Sequence, residues 1–63
     1  MKWWRLIRNG EPIACVVAAG PLHVMPVIGD LFYGGKGCGE FVPRGRGLFE
    51  FNVYNDCWEY RAI

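Results

Sequence analysis

The sequence predicts an all-β fold, or a mostly β fold with one short helix. Two antiparallel hairpins are expected to form a curved sheet or a small open barrel of roughly four to five strands. The turn dipeptides Asn9-Gly10 and Asn55-Asp56, each between segments rich in apolar residues, indicate the hairpins. Aromatic residues make up 16% of the chain, too many for a disordered polypeptide. The chain is long enough for a single small β domain, residues 1–63, and no linker divides it.

The C-terminal hairpin is the clearest element. Polar and apolar residues alternate on both sides of Asn55-Asp56, a pair that tolerates the backbone conformation of a tight turn. The alternation gives this ribbon one aromatic face and one polar face, which is typical of a hairpin that buries one side. The predicted pairs are Val53 with Trp58, Asn52 with Glu59, Phe51 with Tyr60, Glu50 with Arg61 and Phe49 with Ala62.

The N-terminal hairpin turns at Asn9-Gly10, the strongest short turn signal. Adjacent residues of a strand point to opposite faces, so only one of Trp3 and Trp4 can join a core with the rings of the C-terminal hairpin. The other is either covered by residues 22–33 or left on the surface. The predicted pairs are Arg8 with Glu11, Leu6 with Ile13, Trp4 with Cys15 and Trp3 with Val16, which puts Ile13, Cys15 and Val17 on the face of Trp4.

The middle of the chain is less regular. A helix beginning at Pro26 would align apolar residues on one side, but Gly29 disfavours it. Residues 26–32 are therefore either a short helix or an irregular edge strand. Six glycines after Tyr33 indicate long connections, including a loop over residues 43–47.

The composition excludes several classes of function. The chain has no Ser, Thr or Gln, which rules out a serine nucleophile and a phosphate-binding loop that ends in a hydroxyl residue. The glycine-rich residues 35–40 do not match G-x-G-x-x-G either. Because a chain this short rarely encloses a pocket that excludes water, we expect no enzymatic activity and no cofactor.

Cys15, Cys38 and Cys57 are an odd number of cysteines at long spacings. Secreted domains of this size usually carry more cysteines, in pairs, so we expect a reducing cytoplasm. The three cysteines and His23 are the candidate ligands of a zinc site, but the closely spaced cysteine pairs of such sites are missing, and we expect no metal. Proline and glycine breakers in the uncharged residues 12–29 favour a folded turn over a membrane span.

Residues 36–42 partly resemble the RNP1 pattern of RRM and cold-shock domains, in which aromatic residues of a sheet stack on RNA bases. They depart from that pattern at Cys38, which replaces a stacking aromatic residue, and at Glu40, which is inserted before Phe41. The net charge of +1 predicts weak, salt-sensitive binding if the ligand is nucleic acid. The patch that remains combines cations with rings and comprises Tyr33, Lys36, Phe41, Arg44 and Arg46.

We therefore predict a non-catalytic binding module that docks on a larger macromolecule, with a protein as the expected partner. Small chains of this kind often act as inhibitors or adaptors, phage-encoded anti-defence proteins among them. A Trp beside an Arg on a flat apolar strand has the composition of a binding hot spot. The alternative is a small domain that binds single-stranded nucleic acid through the glycine-rich loop and nearby rings. The residues expected to contact the partner are Trp3, Arg5, Tyr33, Lys36, Arg44 and Arg46.

Overall fold

Five strands and one helix make up the chain, and the computed structural model describes every residue from 1 to 63. In chain order the elements are β1 (Lys2–Arg8), β2 (Glu11–Ala18), α1 (Pro21–Phe32), β3 (Glu40–Gly45), β4 (Leu48–Val53) and β5 (Asp56–Ala62). The strands form one open sheet in the order β2-β1-β5-β4-β3, in which every neighbouring pair is antiparallel. The predicted mostly β fold with one short helix is confirmed.

The N-terminal hairpin turns at Asn9-Gly10 as predicted, with positive φ angles of 49° and 83°. The predicted pair of Arg8 with Glu11 is observed, but the other predicted pairs are wrong, because β2 contains a β-bulge. Pro12 pairs with Ile7, but the next pair skips Ile13. Proline has no N–H to give to a ladder, and within sheets it is confined to edge strands and bulges. Beyond the bulge the observed pairs are Leu6 with Ala14, Arg5 with Cys15, Trp4 with Val16, Trp3 with Val17 and Lys2 with Ala18.

The bulge changes which side chains of β2 face the core. Val16 and Ala18 are buried and belong to the core, and α1 packs against this strand. A shift of one residue moves side chains to the other face of a sheet. The residues that were predicted to face the core with Trp4 are exposed instead: Ile13, Cys15 and Val17.

The C-terminal hairpin differs from its predicted register by two residues. Its turn is Tyr54-Asn55, and Tyr54 takes a positive φ of 54°. Asp56 is the first residue of β5, where it accepts hydrogen bonds from Arg8 and Tyr33. Because side chains alternate along a strand, a shift by an even number leaves the aromatic residues on the predicted face. The observed pairs are Val53 with Asp56, Asn52 with Cys57, Phe51 with Trp58, Glu50 with Glu59 (not with Arg61) and Phe49 with Tyr60.

Residues 26–32 are helical, and the helix begins earlier than predicted, at Pro21. Proline suits the first turn of a helix because the N–H that it lacks has no partner there. Gly29 is accommodated in the helix because Gly37 of the following loop packs against it, so closely that a Cβ on Gly37 would lie 2.8 Å from the Cα of Gly29. The chain contains no helix long and apolar enough to span a bilayer.

β3 forms the edge of the sheet opposite β2, and it includes residues that were predicted as a loop. Pro43 and Arg44 belong to the strand, so the prediction of a loop over residues 43–47 is wrong for its first part. The turn itself contains Arg46 and Gly47, both with positive φ. An edge strand tolerates Pro43 because one side of its backbone has no ladder partner.

The core lies between α1 and one face of the sheet. Val24 and Ile28 of the helix are fully buried against rings of the central strands. The Tyr60 hydroxyl donates a hydrogen bond to the carbonyl oxygen of Pro21 at 2.8 Å, and burial raises the pKa of this phenol to about 12. The buried core residues are Trp4, Leu6, Val16, Ala18, Val24, Ile28, Phe51, Val53, Trp58 and Tyr60.

The two adjacent tryptophans lie on opposite faces of β1, which confirms that only one joins the core. Trp4 is 2% exposed, and its indole N–H donates to the carbonyl oxygen of Ala18 at 3.1 Å. Trp3 is 58% exposed. It lies on the face that α1 does not cover, which we call the outer face.

Candidate functional site

The outer face is the side of the sheet that the fold leaves without a covering element. Alternation along each strand assigns its members, since residues adjacent to buried ones point away from the helix. It has an apolar region around β1 and β2 and a charged region over the central strands. Its members include Trp3, Arg5, Ile7, Cys15, Val17, Leu48, Glu50, Asn52, Glu59 and Arg61.

Two arginines lie directly opposite each other in the charged region. Arg5 of β1 is the register partner of Arg61 of β5, and both side chains are exposed. The ion pairs of the molecule involve two other arginines, Arg8 and Arg44, so no carboxylate lies within 4.0 Å of Arg5 or Arg61. Like charges directly opposite each other destabilise a strand pair. The outer face therefore carries two adjacent cations that the chain does not neutralise.

The acidic residues of the outer face lie on β4 and β5, beside the two arginines. Glu59 is the register partner of Glu50. Glu50 has two partners, because Arg44 lies 3.3 Å from its carboxylate and the Asn52 amide donates to it at 2.7 Å. Glu59 has no ion pair. The neutralised Glu50 lowers the repulsion that the opposed carboxylates would otherwise produce.

An open cavity of about 340 Å³ lies on this part of the outer face. Its lining of charged and apolar side chains suits an extended segment with both kinds of residue. The cavity is lined by Arg5, Ile7, Leu48, Glu59, Tyr60 and Arg61.

The apolar region adjoins this cavity. Trp3 is the register partner of Val17, and both are exposed, as is Ile13 further along β2. Trp3 and Arg5 lie on the same face of the same strand, two residues apart. Tryptophan and arginine are the residues most enriched in binding hot spots. The outer face thus combines an aromatic anchor with unpaired cations.

The structure brings together three of the six residues predicted to contact a partner. Trp3, Arg5 and Arg44 belong to the outer face, the last through its ion pair with Glu50. The other three lie elsewhere: Tyr33 at the end of the helix, Lys36 in the loop before β3 and Arg46 in the turn between β3 and β4.

Tyr33 belongs to a structural cluster around Asp56 rather than to an open surface. Its hydroxyl donates to the Asp56 carboxylate and accepts a hydrogen bond from the Trp58 indole at 2.8 Å. Arg8 Nη2 and Asn9 Nδ2 each donate to the same carboxylate at 2.9 Å. Arg8 also lies over the Trp58 ring, 5.5 Å from its centroid. This Asp56 cluster joins the end of the helix, the first turn and β5.

The Asp56 cluster makes stability depend on pH. The hydrogen bonds from Tyr33, Asn9 and Arg8, in that order of effect, lower the pKa of the Asp56 carboxyl from 3.8 to about 2. A carboxyl whose pKa is depressed by folding stabilises the folded state above its unfolded pKa, and this contribution is lost as the pH falls towards the folded pKa. The contribution is therefore complete above pH 3.8 and disappears towards about pH 2.

We expect Asp56→Asn to be less stable than the wild type at neutral pH, with a difference that shrinks as the pH falls from 3.8 to about 2. Urea unfolding at stepped pH values measures this. Asp30→Asn, which changes an exposed carboxylate of the helix outside the cluster, is the control and should keep the wild-type dependence on pH. Parallel pH curves for the wild type and Asp56→Asn would contradict the role given to the cluster.

Ile7, Leu48, Glu59 and Arg61 are outer-face residues that the sequence prediction missed. Arg61 was missed because the predicted register paired it with Glu50, which hid an unpaired cation. In the observed register the turn comes one residue earlier and Arg61 aligns with Leu48, and no local feature of the sequence indicates that turn.

The cysteines and His23 do not converge. Cys15 and Cys38 are exposed, Cys57 is half-buried, and all three are free thiols. No group of three or more His, Cys, Asp and Glu side chains is arranged to hold a metal ion. Burial, with smaller effects of Glu50 and Glu59, raises the pKa of the Cys57 thiol, which keeps it in the less reactive protonated form.

Comparison with protein-family models, with curated proteins and with solved structures finds no match to this chain. The chemistry of its own surface is therefore the basis for inferring what the molecule does. That surface offers one aromatic anchor, two unpaired arginines and an open cavity on a sheet face without a cover.

Proposed function

We propose that the chain is a non-catalytic binding module that docks on a larger protein through its outer face and acts as an inhibitor or adaptor. The observation that carries the proposal is the exposure of Trp3 beside Arg5, with Arg61 across from it, on a face without a covering element. A Trp ring that is more than half exposed loses its remaining contact with water when a partner covers it. The adjacent arginines supply directional hydrogen bonds.

The distribution of the rings favours a protein over the alternative, single-stranded nucleic acid. Domains that bind single strands stack bases on aromatic residues along an open groove. In this chain Phe41 stacks on Phe49 with 5.8 Å between ring centroids, and Tyr33 packs on Trp58, both on the helix side of the sheet. Glu59 on the outer face would also repel a phosphate backbone.

A reducing compartment, such as the cytoplasm, is part of the proposal. It is supported by the three free cysteines, of which two are exposed. Exposed free thiols oxidise readily outside reducing compartments.

We expect Trp3→Ala to weaken capture of the partner by more than about 1 kcal/mol while the fold stays intact. The partner is first identified by affinity capture from an extract of the native host and mass spectrometry, and its affinity is then measured by calorimetry. Leu22→Ala is the matched control, because Leu22 is 58% exposed, like Trp3, but lies on the helix.

Circular dichroism of both variants separates binding from folding. Trp3→Ala should keep the wild-type spectrum and bind less, whereas Leu22→Ala should keep both. Unchanged affinity in Trp3→Ala, or capture of no protein above the level of an empty matrix, would contradict the proposed function. Tighter capture of single-stranded nucleic acid than of any protein would favour the alternative.

A further inference from the structure

We infer that the partner segment is acidic, and that one of its Asp or Glu side chains inserts between Arg5 and Arg61 on the outer face. This inference rests on the proposed function, because it names the chemistry of the partner at the same surface. A protein segment is the occupant, and charge complementarity identifies it.

The two opposed arginines have no acidic partner in the chain. Arg5 and Arg61 are register partners on adjacent strands, and neither has a carboxylate within 4.0 Å. Two other arginines do have one, since Arg8 is paired with Asp56 and Arg44 with Glu50, while Arg46 stands alone in a turn. Two opposed cations weaken the central strand pair, so an anion bound between them relieves a repulsion that the free chain retains.

The surroundings of the two arginines are partly apolar. Arg5 and Arg61 line the cavity of about 340 Å³ together with Ile7 and Leu48, which are half-buried apolar side chains. A partner that covers these side chains excludes water and strengthens each guanidinium–carboxylate interaction. The planar guanidinium matches a carboxylate with two parallel hydrogen bonds, and Trp3 on the same strand covers the apolar residues that flank the acid.

Glu59 makes this surface better suited to a single carboxylate than to a polyanion. Glu59 lines the same cavity and has no ion pair of its own. A phosphate backbone, with a negative charge at every step, would bring one phosphate against Glu59 whenever another met the arginines. A peptide avoids this repulsion when apolar or basic residues flank its acidic residue.

The experiment titrates the isotope-labelled full chain with three probes and follows the side-chain Nε–H signals of its arginines by NMR. The probes are a capped peptide of alternating Leu and Glu, the same peptide with Gln in place of Glu, and oligothymidylate. The Glu peptide should shift the signals of Arg5 and Arg61 in a saturable manner, and the Gln peptide should not. Arg61→Gln should lower the affinity for the Glu peptide about tenfold.

Lys2→Gln is the matched control. Lys2 is an exposed cation at the start of β1 whose register partner Ala18 belongs to the core, so this variant removes one positive charge outside the outer face and should leave the affinity unchanged. Arg61→Gln should fold at least as well as the wild type, since it removes one of two opposed charges. The inference is overturned if the Glu peptide shifts neither Arg5 nor Arg61, if Lys2→Gln loses as much affinity as Arg61→Gln, or if oligothymidylate binds more tightly than the Glu peptide.

The captured partner distinguishes failure of this inference from failure of the proposed function. If Trp3→Ala weakens capture and Arg61→Gln does not, the outer face is the docking surface and the acidic segment is wrong. If neither variant weakens capture, both proposals are wrong. If both variants weaken capture and Lys2→Gln does not, both are supported.

Discussion

Replacement of Trp4 by alanine is expected to lower the free energy of unfolding by about 4 kcal/mol, while the same change at Trp3 lowers it by less than about 1 kcal/mol. Trp4 is 2% exposed and meets the edges of the Phe49 and Tyr60 rings, with centroids 6.0 and 5.9 Å away. Its indole N–H also donates to the buried carbonyl oxygen of Ala18. Alanine would leave a cavity and an unsatisfied acceptor in the same place.

The expected loss is large compared with the total free energy of unfolding of a small domain. Small domains are stable by only about 5 kcal/mol or somewhat more, so Trp4→Ala should retain about 1 kcal/mol, which leaves roughly 15% of the molecules unfolded at room temperature. Urea unfolding followed by circular dichroism measures both variants. Trp3→Ala is a closely matched control, because the residue type, the strand and the substitution are the same and only the face of the sheet differs. Similar losses in the two variants would contradict the assignment of faces.

Gly39→Ala should have the second largest effect, a loss of about 3 kcal/mol with detachment of β3 from β4. A Cβ at this position would lie 2.1 Å from the carbonyl oxygen of Asn52 and 2.9 Å from its carbonyl carbon. Those atoms belong to the backbone of β4 and cannot move aside without disturbing its pairing with β5. The strain is therefore relieved most easily by separation of the edge strand.

Gly20→Ala serves as the control for Gly39→Ala, since its nearest contact would be the His23 ring nitrogen at 3.9 Å. Its expected loss is about 1 kcal/mol or less. Hydrogen exchange of the Glu40 and Val42 amides, which alternate with Phe41 and Pro43 and face β4, should increase in Gly39→Ala and stay near wild type in Gly20→Ala. Full protection of these amides in Gly39→Ala would show that β4 accommodates the extra methyl group.

The faces of the C-terminal hairpin were predictable although its register was not. Alternation fixes which side chains share a face, and an even shift does not change that assignment. The position of the turn depends on Tyr54 accepting a positive φ and on Asp56 being bonded to Arg8 and Tyr33, which come from distant parts of the chain. Nothing local in residues 48–63 contains that information.

The N-terminal hairpin is the opposite case. Its turn was predictable, but which side chains of β2 point to the core was not. An odd insertion, the bulge at Ile13, exchanges the two faces of the strand. Both faces of β2 are apolar in sequence, so alternation does not distinguish them. The buried face of β2 is determined by α1, which packs on the side that carries Val16 and Ala18.

The candidate site was predictable only in part for the same reasons. Trp3 and Arg5 were identified from composition and their place on one strand. Arg61 required the register of β1 with β5, which pairs opposite ends of the chain. Tyr33 looked like a ring on a basic loop, and only its hydrogen bonds to Asp56 and Trp58 reveal its structural role.

The order of the strands puts the first and last of them, β1 and β5, side by side in the middle of the sheet. The amide of Ile63 donates to the carbonyl oxygen of Trp3 at 2.9 Å, and Arg8 pairs with Trp58 at the other end of the same strand pair. Pairing of β1 with β5 therefore closes a loop that includes all the other elements, and its entropic cost makes this pairing the slowest contact to form.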